Sequence, residues 1–82
     1  METENVDVCF RKFANGDVIA FIEGYAVSRP GLVMSYEHVG QHGEASEDLI
    51  DELKPATADE YNDLLRELES IGYVVTIVDD IR

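Results

Sequence analysis

Residues 57–78 read TADEYNDLLRELESIGYVVTIV, and this run decides the fold. Thr57, followed three positions later by Glu60, is a capping box: the hydroxyl can accept from the third helical amide while Glu60 reaches back to the cap. Tyr61, Leu64, Leu65, Leu68 and Ile71 then recur at the spacing of one helical face. Gly72 stands where a left-handed residue ends a helix. Residues 73–78 are β-branched and aromatic, so a strand follows directly. A helix with one apolar stripe needs one apolar sheet face to cover, so the rest of the chain should supply strands.

Upstream, it does. Residues 6–13 alternate Val6, Val8 and Phe10 with Asp7, Cys9 and Arg11, a period of two. Asn15-Gly16 is a strong hairpin signal, because both residues accept positive φ. Residues 17–25 return as a strand whose nearly continuous apolar run from Val18 to Ile22 suggests cover on both faces. Arg29-Pro30-Gly31 marks a turn. Residues 32–38 read as a third strand, ended by a Gly40-Gln41-His42-Gly43 loop. Ser46 can cap a short helix over 47–53, with Leu49, Ile50 and Leu53 on one side; Lys54 suits its end and Pro55 stops it. Residues 79–82 are expected to form a polar tail.

The predicted order is β-β-β-α-α-β in a single α+β domain spanning 1–82. The expected architecture is a two-layer sandwich: a four-stranded, mostly antiparallel sheet covered by one long and one short helix. Whether the last strand joins the first or the third is left open by the pattern.

The chain has 18 Asp and Glu against 6 Lys and Arg, a net charge of −12 over 82 residues. Six acids and three bases lie up to Gly43; twelve acids and three bases follow from Glu44. The charge thus falls mainly on the helical half. An apolar fraction of 45% is ordinary for a folded globule, so the acidity does not imply disorder. A domain this small has a thin core. The lone cysteine, Cys9, sits in an apolar run and reads as a buried small hydrophobe in a reducing compartment. The polar, acidic first residues do not resemble a signal peptide, and no apolar run approaches the ~20 residues of a membrane span. A cytoplasmic location is the expectation. Nucleic acid and anionic membranes should be repelled, so direct binding to either is not expected.

Three stretches are read together: Phe10-Arg11-Lys12-Phe13 with Gly16-Asp17-Val18-Ile19-Ala20-Phe21; Ser35-Tyr36-Glu37-His38-Val39-Gly40-Gln41-His42-Gly43; and Lys54-Pro55-Ala56-Thr57 with Glu60-Tyr61 and the run from Leu64 to Tyr73. They resemble a family of small uncharacterised bacterial proteins associated with prophages and other mobile elements. The Gly-Gln-His-Gly loop and the Ser-Ile-Gly-Tyr end are the most specific parts. The resemblance implies a mobile-element context and carries no catalytic residues.

Two constellations remain. Tyr36, Glu37, His38, Gln41, His42 and Glu44 concentrate polar chemistry in nine residues, and imidazole with carboxylate suits zinc and related ions. His38 and His42 are therefore weak metal candidates, or the centre of a small hydrolytic site. The bland alternative places Tyr36 and His38 on one sheet face, with His42 bonded to loop carbonyls. Ser35, Ser46, Ser70 and Cys9 sit on no recognisable nucleophile turn, so no catalytic residue and no cofactor are assigned. The second constellation is the acidic stripe. Asp59, Asp63 and Glu67 follow at i, i+4 and i+8, flanked by Glu60 and Glu69, and the short helix adds Glu47, Asp48, Asp51 and Glu52. Neighbours on such a row lie about 6 Å apart, a spacing comparable to that of successive phosphates on a nucleic-acid strand. The expected role is a non-catalytic module that docks on a basic protein, occluding a nucleic-acid-binding or defence protein. A plainly solvated helix face is the competing reading. A homodimer joined through open sheet edges is a further one.

Overall fold

The structure is a computed structural model that describes residues 4–24, 27–37 and 41–81. His38 and Gly40, together with Tyr25 and Arg82, lie outside the described residues. The chain runs β1 (Glu4–Lys12), β2 (Val18–Ile22), β3 (Leu32–Glu37), β4 (Gln41–Ser46), α1 (Asp48–Glu52), β5 (Lys54–Pro55), α2 (Ala58–Ser70) and β6 (Tyr73–Ile77). The α+β class and the two helices match the expectation. The sheet has six strands, in the order β4-β3-β2-β1-β5, with β6 also paired to β1.

Neither additional strand is expected from sequence, where residues 41–43 read as loop and Lys54-Pro55 as the end and stop of the short helix. Gln41–Ser46 has weak strand propensity, yet it pairs along its whole length with β3, from Leu32↔Ser46 to Glu37↔Gln41. The waiting apolar edge of β3 outweighs local preference. Lys54–Pro55 pairs with Arg11 and Lys12, and proline suits such an edge because its missing N–H takes nothing from the ladder. Ser46 consequently ends a strand. Its hydroxyl accepts from the Asp48 amide at 3.2 Å, but Glu47 is the N-cap and the helix is confined to 48–52.

The Asn15-Gly16 hairpin also differs in detail. Gly16 takes positive φ, at 95°. The Gly16 amide donates to the Phe13 carbonyl at 2.9 Å and the Phe13 amide to the Asp17 carbonyl at 2.8 Å, so three residues form the loop and Gly16 fills its left-handed position. Asn15 contributes through its side chain, whose Oδ1 accepts the Asp17 amide at 3.0 Å.

β1 is the hub. It pairs antiparallel with β2 through residues 8–12 on one edge. Its other edge is divided between β6, parallel over residues 4–8, and β5, antiparallel over 11–12. The last strand therefore joins the first, in parallel, while the remaining pairs are antiparallel.

Both sheet faces are covered, so the two-layer expectation is corrected. On one face Val6, Val8, Phe10, Val18, Ala20, Ile22 and Tyr36 pack against Leu64 and Leu68 of α2. On the other Cys9, Ile19 and Phe21 pack against Ile50 of α1 and Ile81. The predicted polar tail is thus partly a cover, with Ile81 only 9% exposed. The unbroken apolar run of β2 is explained: all five of its residues are buried. Arg11 fastens the second layer, its guanidinium donating to the carbonyls of Ile50 and Asp79.

Leu68 is fully buried. Leu68→Ala should destabilise the fold by about 2–5 kcal/mol. Ile81→Ala should cost less but measurably, at about the lower end of that range, if the 79–81 segment holds the second face. Urea titration followed by circular dichroism checks both, and an unchanged midpoint for Ile81→Ala would show that the segment contributes nothing there.

Candidate functional site

The capping box that opens α2 is present, with Thr57 at the N-cap and Glu60 three residues in. Glu60 Oε1 accepts from the Thr57 amide at 2.9 Å, and Oε2 meets Lys12 Nζ at 2.6 Å. The hydrogen bond from Lys12, then the one from the Thr57 amide, holds the Glu60 carboxyl down to about 2. Glu60 is therefore engaged within the fold, pinning the start of α2 to the end of β1.

Glu67 is engaged as well. At about 100° per residue, a row at i, i+4 and i+8 drifts by about 80° around the helix. That drift turns Glu67 from the outer side towards the sheet, where it is half-buried and accepts a hydrogen bond from the hydroxyl of Tyr36, itself buried. Asp59 and Asp63, earlier in the row, remain exposed.

The remaining acids are not on the same surface. Ile50 anchors α1 on the sheet face opposite α2. Asp48, Asp51 and Glu52 are exposed on that layer and Glu47 is half-buried. The single docking row expected over 47–69 therefore resolves into two acidic surfaces, one per layer, with Glu60 and Glu67 removed from the outward set. Periodicity alone could not show this, because it places acids around each helix but not the helices on opposite faces.

Of the polar stretch 36–44, Tyr36 and Glu37 end β3, and residues 41–44, expected as loop up to Gly43, belong to β4, which pairs with it. Tyr36 and His42 are register partners, with rings edge-to-face at 4.7 Å. His42 Nε2 lies 3.1 Å from the hydroxyl of Tyr73, so its partner is a side chain from β6 rather than a loop carbonyl. Glu44 Oε2 accepts from the Ser28 amide at 2.6 Å. Four strand spacings separate β4 from β6, about 19 Å if the sheet were flat. Contact between His42 and Tyr73 thus requires a strongly coiled sheet whose far corners approach across the α2 face. Glu67, Tyr36, His42 and Tyr73 form one polar seam there.

That seam does not assemble the hydrolytic pairs considered from sequence. Cys9 packs in the cluster opposite His42, and Ser35, paired with Gly43, faces the same way as Cys9. Ser46 and Ser70 bond to the backbone, at the Asp48 amide and the Glu67 carbonyl. Burial pushes the Cys9 thiol up, away from the reactive thiolate, and outweighs the lowering influence of the Arg11 charge. Among the described residues no group of three His, Cys, Asp or Glu side chains converges to hold a metal ion. No described helix is long and apolar enough to cross a membrane.

The strand over 73–77 is the one expected from sequence; what sequence reading missed is that it forms an open, partly exposed margin of the sheet. Val74 and Ile77 are each 46% exposed and Ile71, just before the strand, is 51% exposed. An apolar strand bordering acidic surface was visible as a composition, but its place at the sheet edge was not. No known protein family, curated relative or solved structure matches the chain.

A carboxyl held below its unfolded pKa stabilises the fold above that unfolded value, and the stabilisation is lost as pH falls through the folded one. Glu60→Gln should therefore lower Tm at pH 7. The gap from the parent should close as pH falls from about 4.5 to about 2. Thermal melts of both proteins across that range check it; a gap independent of pH would remove the Lys12–Glu60–Thr57 arrangement from the account.

Proposed function

We propose that this chain is a non-catalytic acidic interaction module that binds a basic protein. The observation that supports it most directly is the pair Asp59 and Asp63, exposed one turn apart on the outer side of α2 in a chain of net charge −12. Asp48 and Glu52 extend the negative field over the opposite layer. Such a field attracts cationic partners over a distance, speeds encounter and fades with salt. A protein that normally holds nucleic acid has the matching basic surface, and occupying it would block its site. This fits the mobile-element context that the sequence resemblance implies, in which a host nucleic-acid-binding or defence protein is the target.

A second reading, association between copies through the sheet, draws on the exposed apolar edge at β6. Each copy adds a further −12, which opposes that association at low ionic strength.

The test is affinity capture from the source cell at low salt, followed by titration of the captured protein at rising ionic strength. The catch should be basic and its Kd should weaken steeply as salt increases. Exposed charge pairs contribute about 0.2–1 kcal/mol each, so Asp59→Asn with Asp63→Asn should weaken binding about two- to thirtyfold. Affinity indifferent to both salt and these substitutions would defeat the reading.

A further inference from the structure

β6 runs Tyr-Val-Val-Thr-Ile with no charge, glycine or proline. Open edges in stable proteins are generally blunted by lysine, proline, inward charge or cover. The other margins of this sheet follow that rule. β5, lying along the same side of β1, carries Lys54 and Pro55. β4 carries His42, Gly43 and Glu44. β6 is left without such a guard.

Its backbone is also oriented for pairing. The Val78 amide donates to the Val8 carbonyl at 2.9 Å. In a parallel ladder alternate residues turn both polar groups towards the same neighbour. Val74 and Thr76 thus face β1, while Val75 and Ile77 turn their N–H and C=O groups outward. Among the described residues no strand pairs on that outer side.

The surroundings define what would fit. Exposed Asp7 is the register partner of Thr76, and exposed Glu69 and Asp79 bracket the strand at its two ends. The edge is therefore apolar along its length and negative at its borders.

We propose that β6 is the docking edge of the module and receives an extended segment of its basic partner as an added strand, with β-branched or other apolar residues alternating with Lys or Arg. This rests on the basic-partner reading above and gives it a mode of contact. Backbone hydrogen bonds at Val75 and Ile77 supply affinity, the exposed side chains of Val74 and Ile77 supply apolar contact, and Asp7, Glu69 and Asp79 select for cations.

The probe is a synthetic ten-residue peptide alternating lysine with valine, set against a control of equal length and charge whose valines are replaced by proline, which cannot pair as a strand. Calorimetry at low salt should show binding of the first and at least about tenfold weaker binding of the second. In the unaltered protein, the amides of Val75 and Ile77 should gain hydrogen-exchange protection when the lysine–valine peptide is added. Ile77→Pro removes an outward N–H without touching the β1 ladder and should weaken binding about tenfold; Ile77→Ala, which keeps the N–H and the fold, should weaken it less. Equal binding of the two peptides, or binding with no added protection at Val75 and Ile77, would overturn the strand mode while leaving the basic-partner reading intact. Failure of both peptides to bind would overturn both. Concentration-dependent dimerisation in sedimentation, abolished by Ile77→Pro, would assign the edge to a second copy and overturn the proposal.

Discussion

The structure depends on how β1 satisfies its own backbone. Val8, Cys9 and Phe10 are buried in succession, so this stretch has protein on both faces. Buried N–H and C=O groups must find partners. β2 meets those on one edge over residues 8–12. No single strand serves the other edge. β6 takes residues 4–8 and β5 takes 11–12, with the Val78 and Ala56 amides closing on the Val8 and Phe10 carbonyls between them. That division places α2: β5 leads into it and β6 leads out, so both of its ends are tied to the strand beneath it.

The two layers follow from the same alternation. Val6, Val8 and Phe10 of β1 join the cluster with Leu64 and Leu68, while Cys9 joins the one with Ile50 and Ile81. Arg11 is spent on the second layer, bonding carbonyls from α1 and from the segment after β6. Two of the most prominent acids are spent as well. Glu60 joins Lys12 at the start of α2 and Glu67 meets Tyr36 further along it. The negative surface left to solvent is smaller than the acid count suggests and is divided between opposite sides of the sheet.

Much of this was legible in the residues. The capping box, the leucine stripe and Gly72 located α2 and its end, with Gly72 at φ 112°. The alternation in β1 and the unbroken run in β2 were equally plain. What local pattern could not carry was pairing. Residues 41–43 read as loop and Ser46 as a helix cap because His, Gly and Ser are poor strand formers, and the segment becomes a strand only because β3 offers an edge. Lys54 and Pro55 read as a helix stop, yet they bridge to β1. Asp79 and Asp80 coloured the whole last segment polar and hid Ile81. The acidic row was read correctly as a spacing but not as a surface, because helical drift and the side of the sheet each helix occupies depend on tertiary contacts. The open edge at β6 was missed for the same reason.

Pairing the first strand with the last has a consequence for how the chain reaches its native state. Glu4 and Tyr73 meet across almost the whole length described. Contacts so distant in sequence close late and slow folding, because the chain entropy of a long loop must be overcome before they form. During synthesis, one margin of β1 must wait for residues 73–77 to leave the ribosome. Until then Val6 and Val8 would have incomplete cover and an unfilled hydrogen-bonding rim, the kind of nascent surface on which chaperones act.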